Sequence, residues 1–234
     1  MGASQFGTGR RRTVGRFCFA CLSLTPACDT PQGTQRFILH RRGVSSYTPV
    51  MRSFIAINLP TTIKREIGAI IERLGPAGPP SRWVPPENLH VTVKFLGDIR
   101  DDQIGPVTGA ITLAAGEYRP FDLRLGGFGF FPNERKARIF WIGIETGFEP
   151  LKALAHAIDR QVATLGFPLE TRPFSAHITL ARLREPGPAD RLAKAASHVP
   201  YLSEMIAVTQ IDLMRSVLSP KGASYSIVDS VPLR

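Results

Sequence analysis

Asn88-Leu-His-Val-Thr-Val-Lys-Phe-Leu-Gly97 is answered later in the chain by Ser175-Ala-His-Ile-Thr-Leu-Ala-Arg-Leu-Arg184. Both stretches carry His-apolar-Thr-apolar, and His90 and His177 stand 87 positions apart, close to half of the 184 residues that follow position 50. The chain has only 5 His, so a chance repeat of this pattern is improbable and the pair reads as an internal duplication. On a strand, residues i and i+2 project to one face about 6.6 Å apart while i+1 and i+3 face the other way. His90 and Thr92 are therefore expected to look into a cleft, with Val91 and Val93 in the core of their lobe. His177 and Thr179 should do the same from a second lobe, with Ile178 and Leu180 behind them. A pseudo-twofold axis would then set two imidazoles and two hydroxyls across one central groove.

That set suits attack on a phosphodiester. In-line displacement needs a base on the attacking oxygen and an acid on the departing one, on opposite sides of phosphorus. Histidine fits both roles, because its unperturbed pKa of about 6.5 lies near working pH. The Thr hydroxyls can donate to non-bridging oxygens as charge builds there.

Working outward, Arg52-Ser-Phe-Ile-Ala-Ile-Asn-Leu59 reads as a buried strand that Pro60 ends. Ile63, Ile67, Ile70, Ile71 and Leu74 recur at helical spacing until Gly75-Pro76. A strand is expected over 90–96, and then a helix capped by Asp101 with Ile104, Val107 and Ile111 on one face. Phe121, Leu123 and Leu125 alternate as a strand, and 139–144 gives another. Leu151, Leu154, Ile158, Val162 and Leu165 form a second helical stripe, ended by Gly166. A strand over 177–183, a short helix near 188–197 and closing strands over about 205–217 and 224–229 complete the plan. The expected fold is α+β and bilobal: two mostly antiparallel sheets, helices outside, and a groove between.

Composition sets the limits of this reading. A 43% hydrophobic and 21% charged chain can bury a normal core. No apolar run reaches the roughly 18 residues of a membrane span, so a soluble, cytoplasmic protein without a membrane partner is expected. The net charge of +10 is uneven: residues 1–50 hold seven Arg, no Lys and one acid (Asp29), which leaves 22 basic and 18 acidic residues for the rest. Residues 51–234 are thus mildly basic, which suits an anionic substrate. All three cysteines, Cys18, Cys21 and Cys28, lie in the first segment. Cys18-x-x-Cys21 has no second pair to complete a zinc site. Residues 1–50 show no sustained period and read as an unstructured extension, with a transit peptide as the minority reading. Met51, where patterning begins, is a candidate biological start. The domain is expected over 51–234.

The paired motifs resemble the two-histidine (2H) phosphoesterase superfamily, and in particular its RNA 2',3'-cyclic phosphodiesterase branch, the LigT-like "2'-5' RNA ligase" family. The resemblance rests on Phe54-Ile-Ala-Ile57, Trp83 through Gly97, the second motif, Leu213-Met-Arg-Ser and Pro220-Lys-Gly-Ala-Ser-Tyr225. It implies metal-independent opening of 2',3'-cyclic phosphates at RNA ends to 2'-phosphates without cofactor, with His90 and His177 as the acid–base pair. A monomer is expected. The resemblance further implies that Phe95 stacks the substrate base and that Arg182 binds phosphate. On an ideal strand both would have the parity opposite to their histidine, so a bulge or strand end must turn them into the groove.

Plainer readings stand beside these. Thr92 and Thr179 could be ordinary β-branched strand residues, Phe95 a core aromatic, and Arg182 part of a solvated basic loop. The two histidines could share a metal, but no third ligand stands at ligand spacing beside either motif. His156 and His198 read as structural or solvated, His40 lies outside the domain, and Glu87 and Asp98 read as loop residues. A 2',5'-oligonucleotide or small cyclic-nucleotide esterase, or an RNA-binding module without turnover, are the competing functions.

Overall fold

A computed structural model describes residues 50–220 and 222–234. The cysteines, His40 and the expected extension up to residue 49 lie outside the described residues, as does Lys221 of the closing motif. The described residues fall within one compact unit.

The apolar run after residue 50 becomes β1 (Val50–Asn58), a strand covered on both faces. Ile55 and Ile57 point into the main core, while Phe54 and Ala56 join a smaller cluster with Met214 on the other side. Pro60 then starts α1 (Thr61–Leu74), which buries Ile63, Ile67 and Leu74. The short β2 (Ser81–Trp83) precedes β3 (His90–Arg100) and α2 (Asp101–Ala115). Asp101 does not cap α2. Arg100 occupies that place, and Gln103 reaches back to accept its backbone N–H at 3.0 Å. Asp101 and Asp102 instead fall in the first turn, where their charge complements the helix dipole.

β4 (Phe121–Phe131) and β5 (Ala137–Thr146) pair as an antiparallel hairpin, longer than the alternation suggested. The Gly-rich end of β4 has a steric reason: a Cβ at Gly129 would lie 2.2 Å from Cζ2 of Trp141, so only glycine lets that indole lie across the strand. α3 (Phe148–Ala163) follows Gly147, whose φ of 84° and contact with the Asp122 carbonyl exclude a side chain. The helix stops two residues short of Leu165, which is half exposed and not the last member of the stripe. β6 (Ile178–Gly187) and α4 (Asp190–Ser197) come next.

The expected strand over 205–217 is two strands. β7 (Ile206–Val208) and β8 (Gln210–Ser219) part at Thr209 and enter different sheets, and β9 (Gly222–Pro232) returns along β8. The four-stranded sheet runs β3-β1-β8-β9 and the five-stranded sheet β2-β6-β5-β4-β7, with every named pairing among the described residues antiparallel. The lobes are therefore not sequence halves, since the first sheet takes the C-terminal hairpin and the second takes β2. α2 and α3 pack on each other and on β3, while α1 packs on α4 and α4 on β4. One continuous core joins both sheets, from Ile55, Val91 and Leu213 to Phe140, Ile142 and Ile178. Each such side chain contributes roughly 1.5–3 kcal/mol by burial.

Candidate active site

The two histidine strands carry the same irregularity at the same place. Along β1 and β3, Ala56 faces Thr92 and Ile55 faces Lys94, which leaves Val93 over. Along β5 and β6, Trp141 faces Thr179 and Phe140 faces Ala181, which leaves Leu180 over. Each extra residue stands three after its histidine. As a result Val93 and Lys94 are both buried, as are Leu180 and Ala181. Parity then resets, and the residue five after each histidine returns to the histidine face. Phe95 lies there, 68% exposed, its ring 6.2 Å from that of Phe54. Arg182 lies there too, exposed and opposite Ile139.

Each imidazole is held from behind by the carbonyl two residues earlier. His90 Nδ1 is 2.7 Å from the Asn88 carbonyl and His177 Nδ1 is 2.8 Å from that of Ser175. A carbonyl only accepts, so Nδ1 carries the hydrogen and Nε2 is the unprotonated, basic nitrogen of each neutral ring. Thr92 Oγ1 donates to His90 Nε2 at 3.0 Å. Thr179 is half-buried on the equivalent face of β6, and no hydrogen bond among the described residues joins it to His177. Asn88 is itself anchored, its amide donating to the Ala223 carbonyl at 2.7 Å.

Aromatic rings fix both imidazoles sideways. His90 lies against Phe54 (4.8 Å between centroids) and meets Tyr225 edge-on at 5.2 Å. His177 meets Phe131 edge-on at 4.9 Å and lies 6.3 Å from Trp141. These four aromatics come from other strands and were missed by motif reading, although Phe54 and Tyr225 lie inside quoted stretches.

Burial lowers both histidine pKa values, that of His90 to about 4. The Nδ1 hydrogen bonds oppose this shift, and nearby positive charge adds to it. Arg182 acts on both rings, and Lys64 and His177 act on His90. β3 and β6, although in different sheets, also touch, so His90, His177 and Arg182 share one electrostatic neighbourhood. Lys64, another residue missed from sequence, is held by the Glu87 carbonyl at 2.9 Å. Both rings are neutral above their lowered pKa values, and each can accept a proton on Nε2.

The other candidates lie apart. His156 is exposed on α3, and His198 bonds the Lys194 carbonyl at the end of α4. Glu87 and Asp98 are exposed but are not loop residues: Glu87 lies in the short helical turn Pro86–Asn88 and Asp98 within β3. Among the described residues no three His, Cys, Asp or Glu converge as a metal site, and no helix is long and apolar enough to cross a membrane.

The sequence pattern of the family described as LigT like Phosphoesterase matches residues 57–141 and again 142–225, one copy per histidine motif. The chain is 30% identical over 177 residues to the RNA 2',3'-cyclic phosphodiesterase of Methanothermobacter thermautotrophicus, covering 75% of this chain and 95% of that one. It is 32% identical over 178 residues to the protein of that name from Archaeoglobus fulgidus, covering 75% and 96%. Among solved structures, TT0787 of Thermus thermophilus superposes with a TM-score of 0.65 at 30% identity, covering 79% of this chain and 98% of that one. LigT of E. coli complexed with 3'-AMP superposes at 0.59 with 27% identity, covering 79% and 99%. With both of its histidine strands inside a family match and the same two-sheet architecture in these neighbours, the chain belongs to the LigT-like two-histidine phosphoesterases.

Proposed function

We propose that this protein opens 2',3'-cyclic phosphates at RNA or oligonucleotide ends to 2'-phosphates, acting as a cytoplasmic monomer by acid–base catalysis without metal or cofactor. The observation that carries the reading is the pair of equivalent imidazoles, each locked through Nδ1 so that Nε2 is presented. One Nε2 takes a proton from water as its oxygen attacks phosphorus. The other, as imidazolium, protonates the departing 3'-oxygen as the P–O3' bond breaks. Each transfer is worth about 10²–10⁴-fold in rate. With a 5'-hydroxyl in place of water, the same displacement would join RNA ends through a 2'-5' linkage.

Thr92 and Thr179 are assigned to the non-bridging oxygens, Arg182 to the phosphate charge and Phe95 to the terminal base. Burial, aided by the positive charge of Arg182, keeps both histidines neutral in the free protein, and the same guanidinium stabilises a phosphate anion. Bound anion raises their proton affinity, which supplies the acid. The family resemblance gives His177 the water and His90 the leaving oxygen. The names of the curated relatives support the substrate class.

The test is turnover, with EDTA present, of a dinucleotide ending in a 2',3'-cyclic phosphate, with product identified by ³¹P NMR. A 2'-phosphate is expected. A 3'-phosphate would reverse the ribose oxygen that leaves, and binding without turnover of any cyclic phosphate would favour a non-catalytic RNA-binding module.

A further inference from the structure

Arg82 stands directly across a strand pair from Arg182. In the β2–β6 ladder Ser81 faces Leu183, Arg82 faces Arg182 and Trp83 faces Ala181. Opposed residues of antiparallel strands share a face. The adjacent pair shows which one: Ala181 is fully buried and Trp83 meets the buried Phe140 ring edge-on at 6.1 Å. Trp83 and Ala181 thus face the core. Arg82 and Arg182 face the other way, the side of Thr179 and His177, and both are exposed.

Like charges directly opposed on a ladder are destabilising. Among the described residues neither guanidinium has a carboxylate partner. A 2',3'-cyclic phosphate carries a single negative charge, which Arg182 and Lys64 already exceed. Arg82 is therefore surplus to that phosphate. Arg182 acts on both histidines, whereas Arg82 is not among the charges that act on either. Its strand is the edge of the five-stranded sheet, next to the strand that carries Arg182 and Thr179.

We propose that Arg82 forms a second anion subsite, which takes the internucleotide phosphate next to the cyclic end and makes oligonucleotides better substrates than cyclic mononucleotides. This rests on the function proposed above. The paired guanidiniums bind two successive phosphates of one strand, Arg182 the reacting phosphate and Arg82 its neighbour, and the repulsion between them is relieved when the polyanion arrives.

The test compares wild type and Arg82→Ala on adenosine 2',3'-cyclic phosphate, on a diadenosine ending in a 2',3'-cyclic phosphate, and on that diadenosine with an uncharged methylphosphonate link. A charge-assisted contact of this kind is worth roughly tenfold or more. Arg82→Ala should lose about that factor in kcat/KM on the charged diadenosine, mostly through KM, and less than about threefold on the mononucleotide. Wild type should lose the same factor on the methylphosphonate, and Arg82→Ala should be indifferent to it. Removing the repulsion should leave the melting temperature unchanged or higher. Equal losses on mono- and dinucleotide would merge Arg82 with the reacting-phosphate site, and no loss on either would leave it without a ligand; both overturn the subsite. If wild type turns over none of these compounds, the catalytic reading falls. Titration with the diadenosine 2'-phosphate then decides the subsite alone: weaker binding by Arg82→Ala upholds it, and equal or absent binding overturns it.

Discussion

His90 and His177 were legible from sequence because each lies in a tetrapeptide that recurs, and strand geometry makes one face out of alternate residues. The carbonyls that hold them, from Asn88 and Ser175, sit at the same offset and follow from the same local backbone. Their side supports were not legible. Tyr225 and Phe54 meet His90, and Phe131 and Trp141 meet His177, only through pairings between strands distant in sequence. Phe95 is the residue whose two readings the structure separates most clearly. At 68% exposed it is not a core aromatic. Phe95→Ala should keep the wild-type melting temperature and raise KM for nucleotide substrates, since base stacking contributes about 1–3 kcal/mol by alanine substitution. A variant that melts early with unchanged KM would return Phe95 to a packing role.

At the scale of elements, the need for an irregular strand could be read from the parity of Phe95 and Arg182, but not where the extra residue would lie. It lies three after each histidine, and in β3 it has a consequence that β6 lacks. The bulge turns Lys94 inward, whereas Ala181 occupies the equivalent place in β6. Lys94 is met there by Asp159 of α3 and donates to the Pro168 carbonyl at 2.7 Å, so the pair ties the bulge to the helix behind it. Both side chains are largely buried, at 8% and 14% exposure. Asp159→Ala leaves a buried ammonium without its counter-charge, and breaking a buried pair in this way costs about 3–5 kcal/mol. Chemical denaturation should show that loss, and Lys94→Met combined with Asp159→Leu should recover much of it. A loss within about 0.5 kcal/mol, the range of ordinary surface changes, would mean that the pair does not hold the bulge. The division of 205–217 into β7 and β8 was also hidden. Both pieces are apolar, and only the sheets they join distinguish them.

For the whole molecule, the α+β class and the duplicated plan were legible, while the exchange of strands between lobes was not. The C-terminal hairpin returns to β1, and β2 crosses to β6, because each edge finds its partner in the other half of the chain. We propose that 51–234 is the complete catalytic domain. β1 starts at Val50, and among the described residues deleting 1–50 removes the terminal Val50–Arg100 pairing of the ladder and leaves the others in place. The truncated protein should melt cooperatively and keep its kcat. Loss of solubility or turnover would place part of the functional fold upstream.

In the proposed mechanism two histidines from two sheets act as one acid–base unit without metal. The most direct measurement is kcat on the cyclic-phosphate dinucleotide, in EDTA, for His90→Ala, His177→Ala and the double variant. Each single change should cost on the order of 10²–10⁴-fold, and the double variant little more, because groups that act as a unit are not additive. An enzyme silenced by EDTA, or a single variant that keeps most of its kcat, would contradict the account.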